Sequence, residues 1–182
     1  MDARDTMNRF AALGLLVFAA AIPAHAQQAA GLSWTPPAAW TAQGERPMRA
    51  ATYSIPAAKG DKEPAKLAVF FFGQDQGGTP DANVKRWIDQ FRKADGSSAE
   101  SAATVRKDKL AGLPATTLDV KGTYVGGGPQ MGGGAPKAGY RLLGAFVEGP
   151  GGNLFFKLTG PEKTVAEAAA PFRKMLEGIR KK

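Results

Sequence analysis

Residues 138–159 read AGYRLLGAFVEGPGGNLFFKLT, and this stretch decides the architecture. From Ala138 to Glu148 the apolar side chains fall on alternate positions, with Tyr140, Leu142 and Phe146 on one side. From Asn153 to Thr159 the pattern returns, Leu154, Phe156 and Leu158 alternating against Phe155 and Lys157. A period of two is the mark of a β-strand, whose successive side chains point to opposite faces. Between the two runs, Gly149-Pro150-Gly151-Gly152 is a turn. Strands joined this closely run antiparallel, because a parallel pair needs a crossover of about a dozen residues or more.

Working back from this hairpin, Ala115–Val125 alternates in the same way. Leu118, Val120 and Tyr124 face one side and Thr117, Asp119, Lys121 and Thr123 the other. Thr104–Leu110 is a polar strand placed at an edge, and Leu113-Pro114 is read as the turn that follows it. Leu67–Phe72 is almost wholly apolar and aromatic, the composition of a central strand. Met48–Pro56 is a further strand, with Lys59–Pro64 as a charged turn. Trp34 and Trp40 flank Pro36-Pro37, which cannot occupy a central strand. This lead-in lies at a sheet edge with its tryptophans over the core.

Two segments carry the helical period. Thr79 serves as N-cap, Pro80 as first-turn residue and Asp81 as partner of the helix dipole. Val84, Trp87, Ile88 and Phe91 then follow at i, i+3, i+4 and i+7, and Asp95-Gly96-Ser97-Ser98 ends the helix. The last helix opens at Pro161, buries Val165, Ala169, Phe172, Leu176 and Ile179, and closes on Arg180-Lys181-Lys182. Pro171 inside it predicts a kink or a split. Two helices this far apart, with strands before, between and after, do not make a regular parallel β-α-β sheet. They predict an α+β domain, an antiparallel β-sheet packed against helices on one face.

The first residues carry an address. After Met7, Asn8 and Arg9 comes an apolar run, Phe10–Ile22, then Pro23-Ala24-His25-Ala26 before Gln27. A basic start, a short apolar stretch and an Ala-x-Ala site at Ala24 and Ala26 predict a signal peptide over 1–26, cleaved before Gln27. Asp2 and Asp5 are foreign to such a start, so Met7 is read as the natural first residue. The apolar run falls short of the roughly 20 residues a membrane span needs. The expected organisation is a flexible tail over 27–31 and one domain over 32–182. The expected localisation is the periplasm or beyond, with no transmembrane span after cleavage.

Composition removes much of the chemical vocabulary. The chain has no cysteine, and its one histidine, His25, lies in the leader. Disulfides, Ser-His-Asp and Cys-His catalysis, and zinc or copper sites of the usual kind are therefore excluded. The net charge of +8 favours an anionic partner, such as a lipid surface, a cell-wall polymer or an acidic protein, or simply solubility. No motif for nucleic acid appears.

Gly126–Pro136 is the least ordinary internal segment, GGGPQMGGGAP. It lacks the Gly-Lys-Ser/Thr that leads a phosphate loop into a helix, and its flanks are strands, so no nucleotide or other cofactor is expected there. It reads as a long hairpin loop whose Gly128, Gln130 and Met131 are candidate partner contacts. Lys85, Arg86, Arg92 and Lys93 form a candidate basic helix face, or a merely solvated one. Among the acids, Asp81 and Glu162 start helices, Asp89 sits on a helix surface, and Asp61 and Glu63 lie in a turn. Asp119 and Glu148 occupy neighbouring strands out of register, so no catalytic residue is assigned. A hydrolase working through paired carboxylates or a Ser–Lys dyad stays as the catalytic alternative, without a Gly-x-Ser-x-Gly elbow to support it.

Element order carries one resemblance. A Pro-x-x-Trp lead-in (Pro37-Ala38-Ala39-Trp40) precedes a strand pair and a helix bearing Trp87. Antiparallel strands follow, and then a C-terminal helix with Phe172-Arg173-Lys174-Met175-Leu176. Over Leu32–Lys182 the chain is similar to the PsbP-like superfamily of exported proteins, from which its Gly-rich insertion and Pro171 depart. The resemblance implies an α/β/α sandwich and a noncatalytic accessory or binding role, and it transfers no functional residues.

Overall fold

The computed structural model describes residues 26–44, 46–126 and 135–182. Residues 1–25 of the leader, Ala24 among them, lie outside the described residues, as do Gly128, Gln130 and Met131 of the Gly-rich loop.

The strands in chain order are β1 Gln27–Ala29, β2 Leu32–Trp34, β3 Thr41–Ala42, β4 Arg49–Ile55, β5 Ala65–Phe70, β6 Phe91–Arg92, β7 Thr104–Leu110, β8 Leu113–Tyr124, β9 Lys137–Gly149, β10 Gly152–Pro161 and β11 Arg180–Lys181. The helices are α1 Pro80–Ile88 and α2 Glu162–Glu177, with a single 3-10 turn at Glu100–Ala102. The hairpin that decides the fold is β9–β10, antiparallel from Gly149↔Gly152 to Tyr140↔Pro161. It sits in the middle of an eight-stranded sheet of order β3-β4-β5-β10-β9-β8-β6, with β7 also paired to β8. A small second sheet, β1-β2-β11, brings the two ends of the domain together.

Alternation along β10 sorts the core into two layers. Leu154, Phe156 and Leu158 pack with Trp34, Tyr53 and Leu67 and with Val165, Phe172 and Leu176 of α2. Phe155 points the other way, to Leu118, Leu142 and Phe146 and to Val84, Trp87 and Ile88 of α1. The helices therefore cover opposite faces, giving an α/β/α sandwich rather than a sheet covered on one face. Trp34 and Trp40 are buried as expected. No helix among the described residues is long and apolar enough to cross a membrane.

Local chemistry explains most of the elements. Thr79 caps α1, its hydroxyl accepting from Ala82 N–H at 3.3 Å, with Pro80 in the first turn. The β7–β8 turn is Ala111-Gly112, both with positive φ (52° and 79°), the requirement of a two-residue hairpin turn. Leu113 and Pro114 are thus the first residues of β8 and not the turn. Pro114 is tolerated opposite Lys109, near the strand end.

Six further expectations change. α1 stops at Ile88, because Phe91 and Arg92 are drawn into pairing with Tyr124 and Thr123. Phe91 is still fully buried, but from a strand. Gln27–Ala29 is not a tail: it pairs with Leu32–Trp34 around Ala30-Gly31. Arg180 and Lys181 do not end a helix, since α2 closes at Glu177 and they pair with Ser33 and Leu32. Finally, α2 runs through Pro171 unsplit, and Pro161 is its N-cap rather than its first residue. The carbonyl that Pro171 leaves without a helical partner belongs to Glu167, which is exposed to water. The buried stripe of α2 takes Ala168 in place of Ala169.

Candidate functional site

The sheet face that α1 covers is only partly apolar. Side chains at alternate positions of β4, β5 and β10 carry polar groups onto it beyond the end of the helix. Register lines up Thr52 of β4, Ala68 of β5, Lys157 of β10 and Gly144 of β9 in one row across the sheet. Ala68 and Gly144 are small, so Lys157 stands between two low positions. Gly144 has a packing reason: a Cβ there would meet the Trp87 ring at 2.9 Å. The indole lies on that backbone and beside Phe146, with ring centroids 4.6 Å apart.

Lys157 is the focus. Its ammonium donates a hydrogen bond to Gln90 Oε1. It also lies 5.5 Å from the centre of the Trp87 ring and 5.7 Å from that of Tyr124, within cation–π reach. Burial pushes its pKa down to about 8, and the Arg49 guanidinium pushes the same way. Arg49, on β4, lies over the Phe70 ring at 5.3 Å and is itself held below its ordinary value, first by burial and then by Arg46. Aromatic contacts from Phe70 through Phe72, Phe155 and Phe146 to Trp87 join the two cations. Three buried polar atoms on this face have no hydrogen-bond partner among the described residues: Arg49 Nη1, Thr52 Oγ1 and Thr159 Oγ1. Thr52 is only 4% exposed. Lys66 shares the face, opposite Thr159, and stays in solvent.

Beside this cluster lies the stem of the Gly-rich loop. Tyr124 stacks on Tyr140 at 6.0 Å. Glu63 accepts from Tyr140 OH at 3.0 Å and pairs with Lys137, contacts that hold its carboxyl below the usual range. Burial raises Tyr124.

The opposite face holds a groove of about 320 Å³ between α2 and β7–β9, with Leu143, Phe172 and Leu176 on its floor and Arg106, Asp108 and Arg173 at its rim. Asp119, also at that rim, is clamped by Arg141 through two hydrogen bonds of 2.9 and 2.6 Å.

The sequence-predicted basic residues do not share a helix face. Lys85 and Arg86 are on α1, where Lys85 pairs with Asp89 at 2.8 Å and Arg86 donates to Asn83. Arg92 is on β6 and donates to the Asp89 and Phe91 carbonyls, and Lys93 follows in a turn. The acids have partners too: Asp81 pairs with Lys107 and Glu162 with Lys121. Asp61 accepts from the Thr164 N–H and hydroxyl at 2.9 and 2.5 Å, capping α2 from a distant turn. Asp119 pairs across the sheet with Leu143 and Glu148 with Asn153, so they do not meet. No group of three or more acidic or metal-ligating side chains with the spacing of a metal site occurs among the described residues. Lys157, Arg49 and Thr52 carry no sequence motif. The available signal was a lysine in a strand flanked by Phe155, Phe156 and Leu158.

No protein-family model matches the chain, and no curated protein matches it. Among solved structures, cyanobacterial PsbP from Synechocystis sp. PCC 6803 is similar at a TM-score of 0.51 and 13% identity, over 97% of this chain and 99% of that one. A protein of unknown function from Pseudomonas aeruginosa is similar over 69% of this chain and 78% of that one, at a TM-score of 0.43 and 15% identity. The order of strands and helices, the two-faced core and the match to cyanobacterial PsbP together establish that this chain has the PsbP-like fold.

Proposed function

We propose that this chain is an exported, noncatalytic accessory or binding protein of the cell envelope. The reading rests above all on the α1-side face, whose two cations, Arg49 and Lys157, have no carboxylate partner among the described residues. Its polar groups suit recognition more than reaction. Lys157 donates to Gln90 rather than to a serine, and Asp119 is clamped by Arg141, which supports the noncatalytic reading. Export is supported by the leader pattern at Phe10–Ala26. The loop 126–136, with Gly128, Gln130 and Met131, is a second contact element in this reading, and Lys85, Arg86, Arg92 and Lys93 are peripheral to it.

The test is capture of partners from cell-envelope extract by the secreted protein, beside N-terminal sequencing that should begin at Gln27. Capture that weakens on deletion of 126–136 supports the loop as a contact. Equal capture removes the loop from the reading. Turnover of a substrate, abolished by one Ser, Lys or carboxylate substitution that leaves the domain folded, overturns the noncatalytic role.

The +8 charge favours one further reading, association with an anionic membrane or cell-wall surface. Binding to anionic vesicles would then fall steeply between low and physiological salt.

A further inference from the structure

Cleavage between Ala26 and Gln27 makes a glutamine the first residue of the mature chain. Gln27 opens β1, the edge strand of the small sheet β1-β2-β11, and faces Trp34 in register. It also lines a small cavity of about 140 Å³ with Gln43, Arg46, Arg49 and Tyr53. Arg46 and Arg49 are the only charged side chains that line this cavity among the described residues. Burial, and after it Arg46, already hold the Arg49 guanidinium below its ordinary value. The cavity is therefore positive before any chain terminus is added, and a free α-ammonium at Gln27 brings a third cation to it.

We propose that Gln27 is a modification site: once the leader is removed, it closes on itself to pyroglutamate. The unprotonated α-amine attacks Cδ of its own side chain. A bond forms between the α-nitrogen and Cδ, the Cδ–Nε2 bond breaks, and Nε2 leaves as ammonia with the proton that the amine gives up. Nothing is oxidised or reduced, and no second reactant takes part. Amine and carboxamide belong to one residue, so their encounter is intramolecular. Arg46 and Arg49 assist, because neighbouring like charges lower the pKa of an amine and raise the fraction able to attack. The product is neutral, and the cavity is relieved of its third cation. As the first residue of the mature chain, Gln27 has no preceding peptide to distort. A ring is tolerated at the first residue of an edge strand, as proline is. This modification rests on the cleavage proposed above, and mass separates the two.

Intact mass spectrometry of the protein secreted from its full-length chain tests it. The expected species begins at Gln27 and is lighter by one ammonia. A chain that begins at Gln27 and keeps its full mass after prolonged incubation at neutral pH retains the cleavage and overturns the modification. A chain that begins elsewhere overturns both. Gln27→Ala must abolish the loss of ammonia, and a loss that persists places it elsewhere in the chain and overturns the site. In freshly secreted protein held at neutral pH, Arg46→Gln should accumulate the lighter form about twofold more slowly than the unmutated chain. Equal rates overturn the assistance given to the arginine pair.

Discussion

Lys157 sits on a strand between Phe156 and Leu158, and its ammonium has to find a polar environment inside an aromatic layer. It finds one acceptor, Gln90, and two ring faces. The consequence is a pKa near 8 in the folded chain against an ordinary 10.5. Between those values the unfolded state holds more protons, so unfolding free energy rises with pH. Relative to Lys157→Met, the unmutated protein should gain up to about 3 kcal/mol between pH 8 and pH 10, and little below pH 7. Urea denaturation of both proteins across that range checks it, and a constant difference would contradict the burial. The sequence shows Lys157 only as one more residue of an alternating strand. Its partners come from α1, the turn after it, β8 and β4, and no local pattern announces such a meeting.

Elements are legible where their cause is local. Thr79-Pro80 marks the start of α1, and alternation marks β8, β9 and β10, because caps and periodicity act within a few residues. Elements escape where the cause is tertiary. Phe91 falls on the helical stripe of Val84, Trp87 and Ile88, and periodicity cannot distinguish a helical residue from a strand residue that enters the same core. Pairing with Tyr124 settles it. Gln27–Ala29 and Arg180–Lys181 become strands only because β2 lies between them. The start of α2 has no capping side chain of its own, since Pro161 stands at the N-cap, and Asp61 supplies one from another turn. Asp61→Ala should therefore lower stability by about 1–2 kcal/mol in chemical denaturation, with Asp61→Asn recovering part of the loss. An unchanged midpoint would show that the cap carries no weight. In the β7–β8 turn, Ala111 occupies a left-handed conformation better suited to Asn or Gly. Ala111→Asn should raise stability by about 1 kcal/mol, seen as a thermal midpoint about 2–4 °C higher. A lower midpoint would show that the turn tolerates alanine for a reason beyond φ.

At the scale of the whole molecule, a sheet with helices on opposite faces has two distinct surfaces to work with. The α2 side encloses the larger apolar core, and among the charges that rim its groove Asp119 pairs with Arg141 and Arg173 with Glu177. The α1 side is covered over β8–β10 and left polar toward β4 and β5. The fold class and central hairpin follow from the sequence, but this division between the faces depends on how far α1 reaches. Because α1 ends at Ile88, Gln90 is free to turn back over Lys157. The central claim is that the polar half of the α1-side face is the working surface of a binding protein. Capture of cell-envelope partners by Arg49→Gln, beside the unmutated protein and Lys107→Gln, tests it most directly. The account predicts capture weakened about tenfold in Arg49→Gln and unchanged in Lys107→Gln. Equal capture by all three proteins would contradict it.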